Sequence, residues 1–275
     1  MFAVFDIGGT KTRIATSVDG ISLGAVQKFD TPPTYDEGVG LLAETIRAAG
    51  GAVLGRVAGG IRGRLMSDHA GMAHDHILTD WQGKSLAQDL SERLGVPVTL
   101  ENDAALAALG EAHHGAGRGY GIVAYHTVST GVGGARIDHG RIDANASGFE
   151  PGHQIIDLDE KGVGVALENL ISGTAVEQAR GKKPYEIPQD DPLWDELAHT
   201  LALGLRNTVV YWSPDVIVLG GSMMLGDPKI RLDAVQEHVA AIFRDTTCPP
   251  LVLATLGDSS GLYGALNLVR SGGVT

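Results

Sequence analysis

Cysteine is nearly absent from the 275-residue chain, where Cys248 stands alone. A single thiol excludes an internal disulfide framework and any metal site built from several cysteines. Positive charge is also scarce. Lys and Arg number 21 against 33 Asp and Glu, giving a net charge of −12, which argues against a nucleic-acid or anionic-membrane surface. No apolar run approaches membrane-spanning length, and no leader precedes the first strand of the given sequence, so the cytoplasm is the expected location. No low-complexity linker divides the chain. What remains is 43% apolar and 20% charged, as in water-soluble folded proteins, with length for one large domain or two ordinary ones.

The chain is organised around its opening stretch. Phe2-Ala3-Val4-Phe5 leads into Asp6-Ile7-Gly8-Gly9-Thr10-Lys11-Thr12-Arg13, and Ile14-Ala15-Thr16-Ser17-Val18 leads out, which predicts two strands joined by a tight glycine turn. Gly8 and Gly9 can adopt backbone angles closed to other residues and admit a ligand to the main chain. Their N–H groups, with Thr10, Lys11 and Arg13, suit a phosphate cradle, and Asp6 at the strand end suits Mg²⁺ held through water. A plain glycine hairpin with a solvated Asp fits the same residues.

Elements of both kinds then alternate. A third strand is expected over residues 24–30, followed by a helix opened by a Thr34/Glu37 capping box and ended by Gly50-Gly51. Residues 56–61 predict a strand running into a glycine loop. A second capping box, Ser85/Gln88, opens a helix striped with Leu86, Leu90 and Leu94. A short strand at 97–100 delivers Glu101-Asn102-Asp103 to an alanine-rich helix at 104–113. The second half repeats the grammar, with a strand at 120–127, the glycine turn Ser129-Thr130-Gly131-Val132-Gly133-Gly134 and a returning strand at 135–138. Helices follow over 165–180 and from Asp191-Pro192 onward, where Leu193, Leu197, Leu201 and Leu205 lie four apart. Val216-Ile217-Val218-Leu219 predicts a buried strand ending at Gly220-Gly221, before a helix at 231–243, a strand at 251–256 and a final helix from Gly261. Two halves that each open on a glycine-turned hairpin suggest an internal duplication.

Read singly, Asn102-Asp103 is better read as an N-cap for the alanine helix than as a base for phosphoryl transfer, which Asp103 could also supply. Glu150, His153 and Glu168 suit polyol hydroxyls, with a structural histidine and a solvated helix face as the plainer readings. The remaining histidines, including His74/His76 and His113/His114, are expected at the surface, and Cys248 is expected to be a packed or idle thiol.

In order and spacing, these motifs resemble those of the ROK family (repressors, uncharacterised frames and sugar kinases), within the actin-like ATPase fold. Residues 6–13 look like its first phosphate loop and Ser129–Gly134 like its second. Glu101-Asn102-Asp103-Ala104-Ala105, running into Ala108-Leu109-Gly110-Glu111, is similar to the catalytic segment. Glu150-Pro151-Gly152-His153, Leu167-Glu168 and Ser172-Gly173-Thr174-Ala175 resemble its sugar signatures, and residues 215–222 its adenosine motif. The resemblance implies an α/β protein of two actin-like (ribonuclease H-like) domains with mixed sheets flanked by helices. The domains would span 1–103 and 104–260, with a last helix at about 261–275 packed back on the first, and the active site in the cleft.

The implied activity is ATP-dependent phosphorylation of a hexose or similar sugar at its 6-hydroxyl, with Asp103 as general base. A non-catalytic sugar sensor and an ATPase activator of the same superfamily are the alternatives. The family's repressors carry an N-terminal helix-turn-helix, whereas the given sequence begins on the first strand. By resemblance, Asp6, Gly8, Gly9, Thr10, Lys11, Thr130, Gly131, Gly133, Gly220 and Gly221 would hold ATP, with Asp6 meeting Mg²⁺ through water. Gly60, Asn102, Asp103, Glu150, His153 and Glu168 would hold the sugar, and a homodimer is the expected assembly.

Two departures from the family pattern stand out. Asp159, Lys161 and Ala166 occupy the places of three cysteines that commonly tie a zinc knot, so no zinc is expected. The loop at 155–164 should then be held by hydrogen bonds, with Ile155, Ile156, Leu158 and Val163 packed inward. Ser129 also stands where the second loop usually begins with glycine, which is tolerable if its φ is negative.

Overall fold

The computed structural model describes residues 1–146, 148–243 and 247–271; residues 272–275, at the end of the expected last helix, lie outside them. The chain divides into two compact units. One comprises Met1–His113, Ala144–Gly148 and Asp258–Thr275, and the other His114–Asp143 and Phe149–Gly257.

In the first unit, β1 (Phe2–Ile7) and β2 (Lys11–Ser17) form the expected antiparallel hairpin, and β3 (Gln27–Asp30) pairs with β2. β3 is shorter than expected: Gly24 gives its N–H to the Thr16 carbonyl at 2.8 Å, but regular pairing starts only at Gln27. Helix α1 (Tyr35–Gly50) follows, then β4 (Arg56–Ile61), the two-stranded ribbon β5 (Arg64–Leu65) and β6 (Met72–His74), α2 (Leu86–Leu94), β7 (Val98–Asn102) and α3 (Asp103–His114). The main sheet runs β3-β2-β1-β4-β7, with β1, β4 and β7 parallel. The final helix, Ser260–Arg270, crosses α3 closely: a Cβ on Gly110 would lie 3.1 Å from the Gly264 nitrogen.

Neither expected capping box forms its backbone bonds. Thr34 gives its hydroxyl to Glu37 at 3.2 Å without capping α1, and the Tyr35 N–H goes to Asp80 at 2.8 Å. Ser85, at φ −88° and ψ 68°, lies off the extended geometry that aims a cap hydroxyl into the helix, and Gln88 bonds Glu92 instead.

The second unit repeats the plan. β8 (Ile122–Val128), β9 (Val132–Asp138) and β10 (Arg141–Ile142) form the antiparallel edge of a sheet ordered β10-β9-β8-β13-β14. A ribbon of β11 (Ile155–Leu158) and β12 (Gly164–Ala166) leads to α4 (Glu168–Ile171), α5 (Gly173–Arg180) and α6 (Leu193–Trp212). Then come β13 (Val216–Gly220), α7 (Ser222–Leu225), α8 (Leu232–Ile242) and β14 (Leu251–Leu253), with β8, β13 and β14 parallel. β14 stops three residues short of the expected end.

The single helix expected over 165–180 is two helices and the end of a strand. Gly173 donates to the Ser129 carbonyl at 2.7 Å, and Ser172, extended at ψ 157°, accepts the Ala175 N–H to start a new helix. The apolar residues of the 155–164 segment also depart from expectation. Ile156 packs on the core, but Ile155, Leu158 and Val163 are 55%, 63% and 60% exposed. Hydrogen bonds hold this ribbon: Asp159 Oδ1 accepts the N–H groups of Lys161 and Val163 at 2.9 and 2.8 Å.

The core of the second unit gathers the α6 leucines, Ile217 and Leu219 of β13 and the methionines of α7; Cys248 packs against it, its thiol pKa raised by burial. Among the described residues no helix is long and apolar enough to cross a membrane.

One histidine was misplaced by the surface expectation. His126 on β8 is fully buried, its Nε2 2.9 Å from the Thr208 hydroxyl and its ring stacked on Trp212 at 5.5 Å. Burial pushes its pKa down to about 4. A depressed imidazole stays neutral in the folded chain while the unfolded chain takes up a proton below about 6.5. Stability from this group is therefore lost as pH falls from 6.5 toward 4, by roughly 3 kcal/mol in all. His126→Gln should flatten that part of the loss in thermal melts recorded between pH 7 and pH 4.5. An unchanged pH slope in the variant would contradict this.

Candidate functional site

The parallel register of the first unit aligns the carboxyl ends of three strands, since Ile7 pairs with Ile61 and Ile61 with Asn102. In open α/β sheets this is the end where ligands bind. Asp6, one residue earlier, pairs with Gly60 and, on its other side, with Arg13. A Cβ on Gly60 would approach the Asp103 Cα at 3.3 Å and Asp6 Oδ1 at 3.4 Å, and one on Gly261 would lie 3.2 Å from the Asp6 carboxyl carbon. Two bare glycines thus leave room around one carboxylate.

Asp6 is pushed up to about 7 by burial first and by the negative Asp103 second; Arg13, 3.7 Å away, opposes the rise. Asp103 is also raised, again mainly by burial, with Arg62 opposing. Arg13 is shared with Asp258, at 2.6 Å, and Lys28 joins the same carboxylate at 3.3 Å.

The cap reading of Asn102-Asp103 is seen in the bonding. Asn102 Oδ1 accepts the Ala105 N–H at 3.0 Å and so caps α3, while its amide donates to the Gly63 carbonyl at 3.1 Å. Asp103 Oδ1 accepts the Ala104 N–H at 2.8 Å, which fixes the carboxylate and leaves Oδ2 for other work. Glu101, buried beneath them and raised by that burial, accepts the Asn102 N–H at 2.8 Å and faces His69 at 3.6 Å.

The glycine turn works by closeness and not by unusual angles: neither Gly8 nor Gly9 has positive φ. Gly8 N–H meets the Lys11 carbonyl at 3.0 Å, and a Cβ on Gly9 would come within 2.6 Å of Arg62 Nη1. Thr10 is exposed and holds Thr31 through its carbonyl at 3.0 Å, while Lys11 pairs with Asp30. The sequence offers no side-chain signal for Arg62 and its partner Asp75 beyond the glycine loop before Arg62.

In the second unit the glycine turn is shorter than expected. Gly133 and Gly134 belong to β9, which leaves Ser129, Thr130 and Gly131 as the loop. Ser129 is not among the described residues with positive φ, so the replacement of glycine is tolerated. Its hydroxyl lies 3.0 Å from that of Ser222, and Thr174 binds the Thr130 carbonyl at 2.8 Å. Gly220 pairs with Thr127, and Gly221, at φ 88°, passes so close that a Cβ would overlap the Val128 carbonyl. The loop after β8 and the turn after β13 are therefore locked together.

Pro151 and Gly152 are buried against β9, a placement that presents Glu150 and His153 at the surface on either side of them. Glu168 begins α4, and its Oε2 accepts the Val132 N–H at 2.6 Å, binding it to the glycine loop; it is not a solvated helix face.

The family model described as "ROK family" matches residues 2–271. The chain is 29% identical to an N-acetyl-D-glucosamine kinase of Histophilus somni over 98% of this chain and 99% of that protein. It superposes on the ROK hexokinase of Thermus thermophilus with a TM-score of 0.82 and 29% identity, covering 99% of each chain. A ROK family glucokinase from Streptomyces griseus, solved with glucose and AMPPNP, gives 0.80 and 25% identity over 98% of this chain and 99% of that one.

The locked turn in the second unit yields a direct check. Gly221→Ala should destabilise the protein by more than about 1 kcal/mol, because it adds strain at positive φ to a backbone overlap. Urea unfolding should show a lower midpoint at unchanged slope. A wild-type midpoint would contradict this.

Proposed function

The chain belongs to the ROK family and has its actin-like α/β fold, and from that premise we propose that it transfers the terminal phosphoryl group of ATP to a sugar hydroxyl, the 6-hydroxyl of a hexose, with Asp103 as the general base. The observation that carries this reading is the state of Asp103. It is half-buried, fixed through one oxygen by Ala104 N–H, and raised above the ordinary carboxylate range. A positioned carboxylate of raised pKa holds a hydroxyl proton better than a solvated one. Asn102 would orient the same hydroxyl group, and the bare backbone of Gly60 leaves space beside it.

Glu150, His153 and Glu168 would receive the remaining sugar hydroxyls, the first two from the segment that Pro151-Gly152 pins. Thr10, Lys11 and the N–H groups of Gly8 and Gly9 would meet phosphate oxygens, as would Thr130, Gly131 and Gly133, with adenosine against Gly220-Gly221. Asp6 and Asp103 are hard oxygen donors whose charges oppose each other, a set that suits Mg²⁺ held by Asp6 through water. Bound with the nucleotide, that ion would neutralise phosphate charge. No zinc is expected, and a cytoplasmic homodimer is the proposed assembly.

A coupled assay over glucose, fructose, mannose and their N-acetylated amino relatives tests the reading. ADP release should require one of these sugars. Sugar binding without ADP release would indicate a sensor, and turnover indifferent to sugar would indicate an ATPase activator. With the responsive sugar, Asp103→Asn should lower kcat by roughly two to four orders of magnitude while calorimetric sugar affinity changes much less. A folded variant with near-normal kcat would remove the base assignment. Asp6→Ala should weaken Mg²⁺-ATP binding in calorimetry and spare sugar binding; equal loss of both would show that Asp6 organises the whole unit.

A further inference from the structure

Arg62 lies just past the end of β4, where its backbone N–H adds one more bond to the sheet by donating to the Ile7 carbonyl at 3.1 Å. Its guanidinium is held at one corner only. Nε donates to Asp75 Oδ1 at 2.9 Å. Asp75 is itself buried, and its other oxygen accepts the N–H groups of Ile77 and Leu78 at 3.0 and 2.8 Å. Burial works against ionisation of Asp75, yet these bonds and the Arg62 charge hold its carboxyl below the ordinary value. The anchor is therefore a fixed anion with each oxygen committed.

The far end of the guanidinium is placed differently. Nη1 presses against Gly9, so closely that a Cβ there would sit 2.6 Å from it. Neither Nη1 nor Nη2 donates a hydrogen bond to a described residue, and the charge is felt at Asp103. The other cations beside this turn are occupied, Lys11 by Asp30 and Arg13 by Asp258. A guanidinium braced at Nε keeps a planar fork of donors, the geometry that matches phosphate oxygens.

We propose that Arg62, braced by Asp75 and presented at Gly9, grips the terminal phosphoryl group of the nucleotide during transfer. The inference rests on the proposed phosphoryl-transfer reading and adds to it a residue that touches the transferred group. A cation there neutralises charge that the equatorial oxygens carry between the leaving and attacking oxygens.

Arg62→Ala, Arg62→Lys and Asp75→Asn test it through two readouts. The first is nucleotide preference, which can be read even if no sugar is phosphorylated. Calorimetry should show Arg62→Ala weakening AMPPNP about tenfold while ADP, lacking the terminal group, stays within twofold. The second is turnover with the responsive sugar. Here kcat should fall roughly a hundred- to a thousandfold, with the sugar KM nearly unchanged, and free guanidinium should restore part of it. Arg62→Lys should fall between wild type and Arg62→Ala, and Asp75→Asn should lose less than Arg62→Ala. If Arg62→Ala fails to fold, Arg62→Lys carries the test by the same AMPPNP-to-ADP ratio. An unchanged ratio, a loss confined to the sugar KM, or a kcat loss that guanidinium does not rescue would overturn the proposal. Absence of any sugar-dependent turnover in the wild type, with the ratio shifted as expected, would instead fault the sugar-kinase reading.

Discussion

Two half-buried carboxylates in the same small region, Asp6 and Asp103, set the terms for the rest of the first unit. Burial disfavours the charge on each, and the Asp103 charge adds to the cost at Asp6. The parallel register sets Asp6 beside Gly60, whose bare backbone lies close to Asp103 as well, and Gly60 and Gly261 clear the space around them. The surrounding ion pairs answer that constraint. Arg13 and Arg62 each lower one of the two carboxylates, and each is held in turn by an acid of its own, Asp258 and Asp75. An arrangement costly to an empty protein is suited to a bound cation and to a proton in transit.

The second unit meets a different need, backbone closeness. Gly221 against Val128, Ser129 against Ser222, and Glu168 on the Val132 N–H bind three separate segments into one edge. Glu168 is held there without any cysteine cluster behind it. The ribbon that precedes it is closed by the Asp159 turn, and its apolar side chains stand largely in solvent.

Much of this was legible because it is local. The two glycine-turned hairpins, the leucine stripe of α6, the buried run of β13 and the Asn102 cap each follow from residue types at short spacing. The misses share a different cause, a partner distant in sequence. Asp80, not Thr34, accepts an N–H at the start of α1, and the Ser129 carbonyl breaks a helix by drawing in Gly173. His126 is buried because α6 supplies Thr208 and Trp212. Arg62 and Asp75 are joined across an irregular stretch that has no periodicity to read. For Ile155, Leu158 and Val163 the error was to equate apolar with buried, since single apolar residues often remain at the surface.

The central claim is that Asp6 is tuned by its neighbour Asp103, and carbon-13 NMR of the aspartate carboxyls tests it most directly. In the wild-type protein without nucleotide, Asp6 should titrate near 7. In Asp103→Asn its midpoint should fall toward the ordinary range while burial keeps it above 3.8. An Asp6 that titrates at its ordinary value in the wild type, or that does not move when Asp103 loses its charge, would contradict the account.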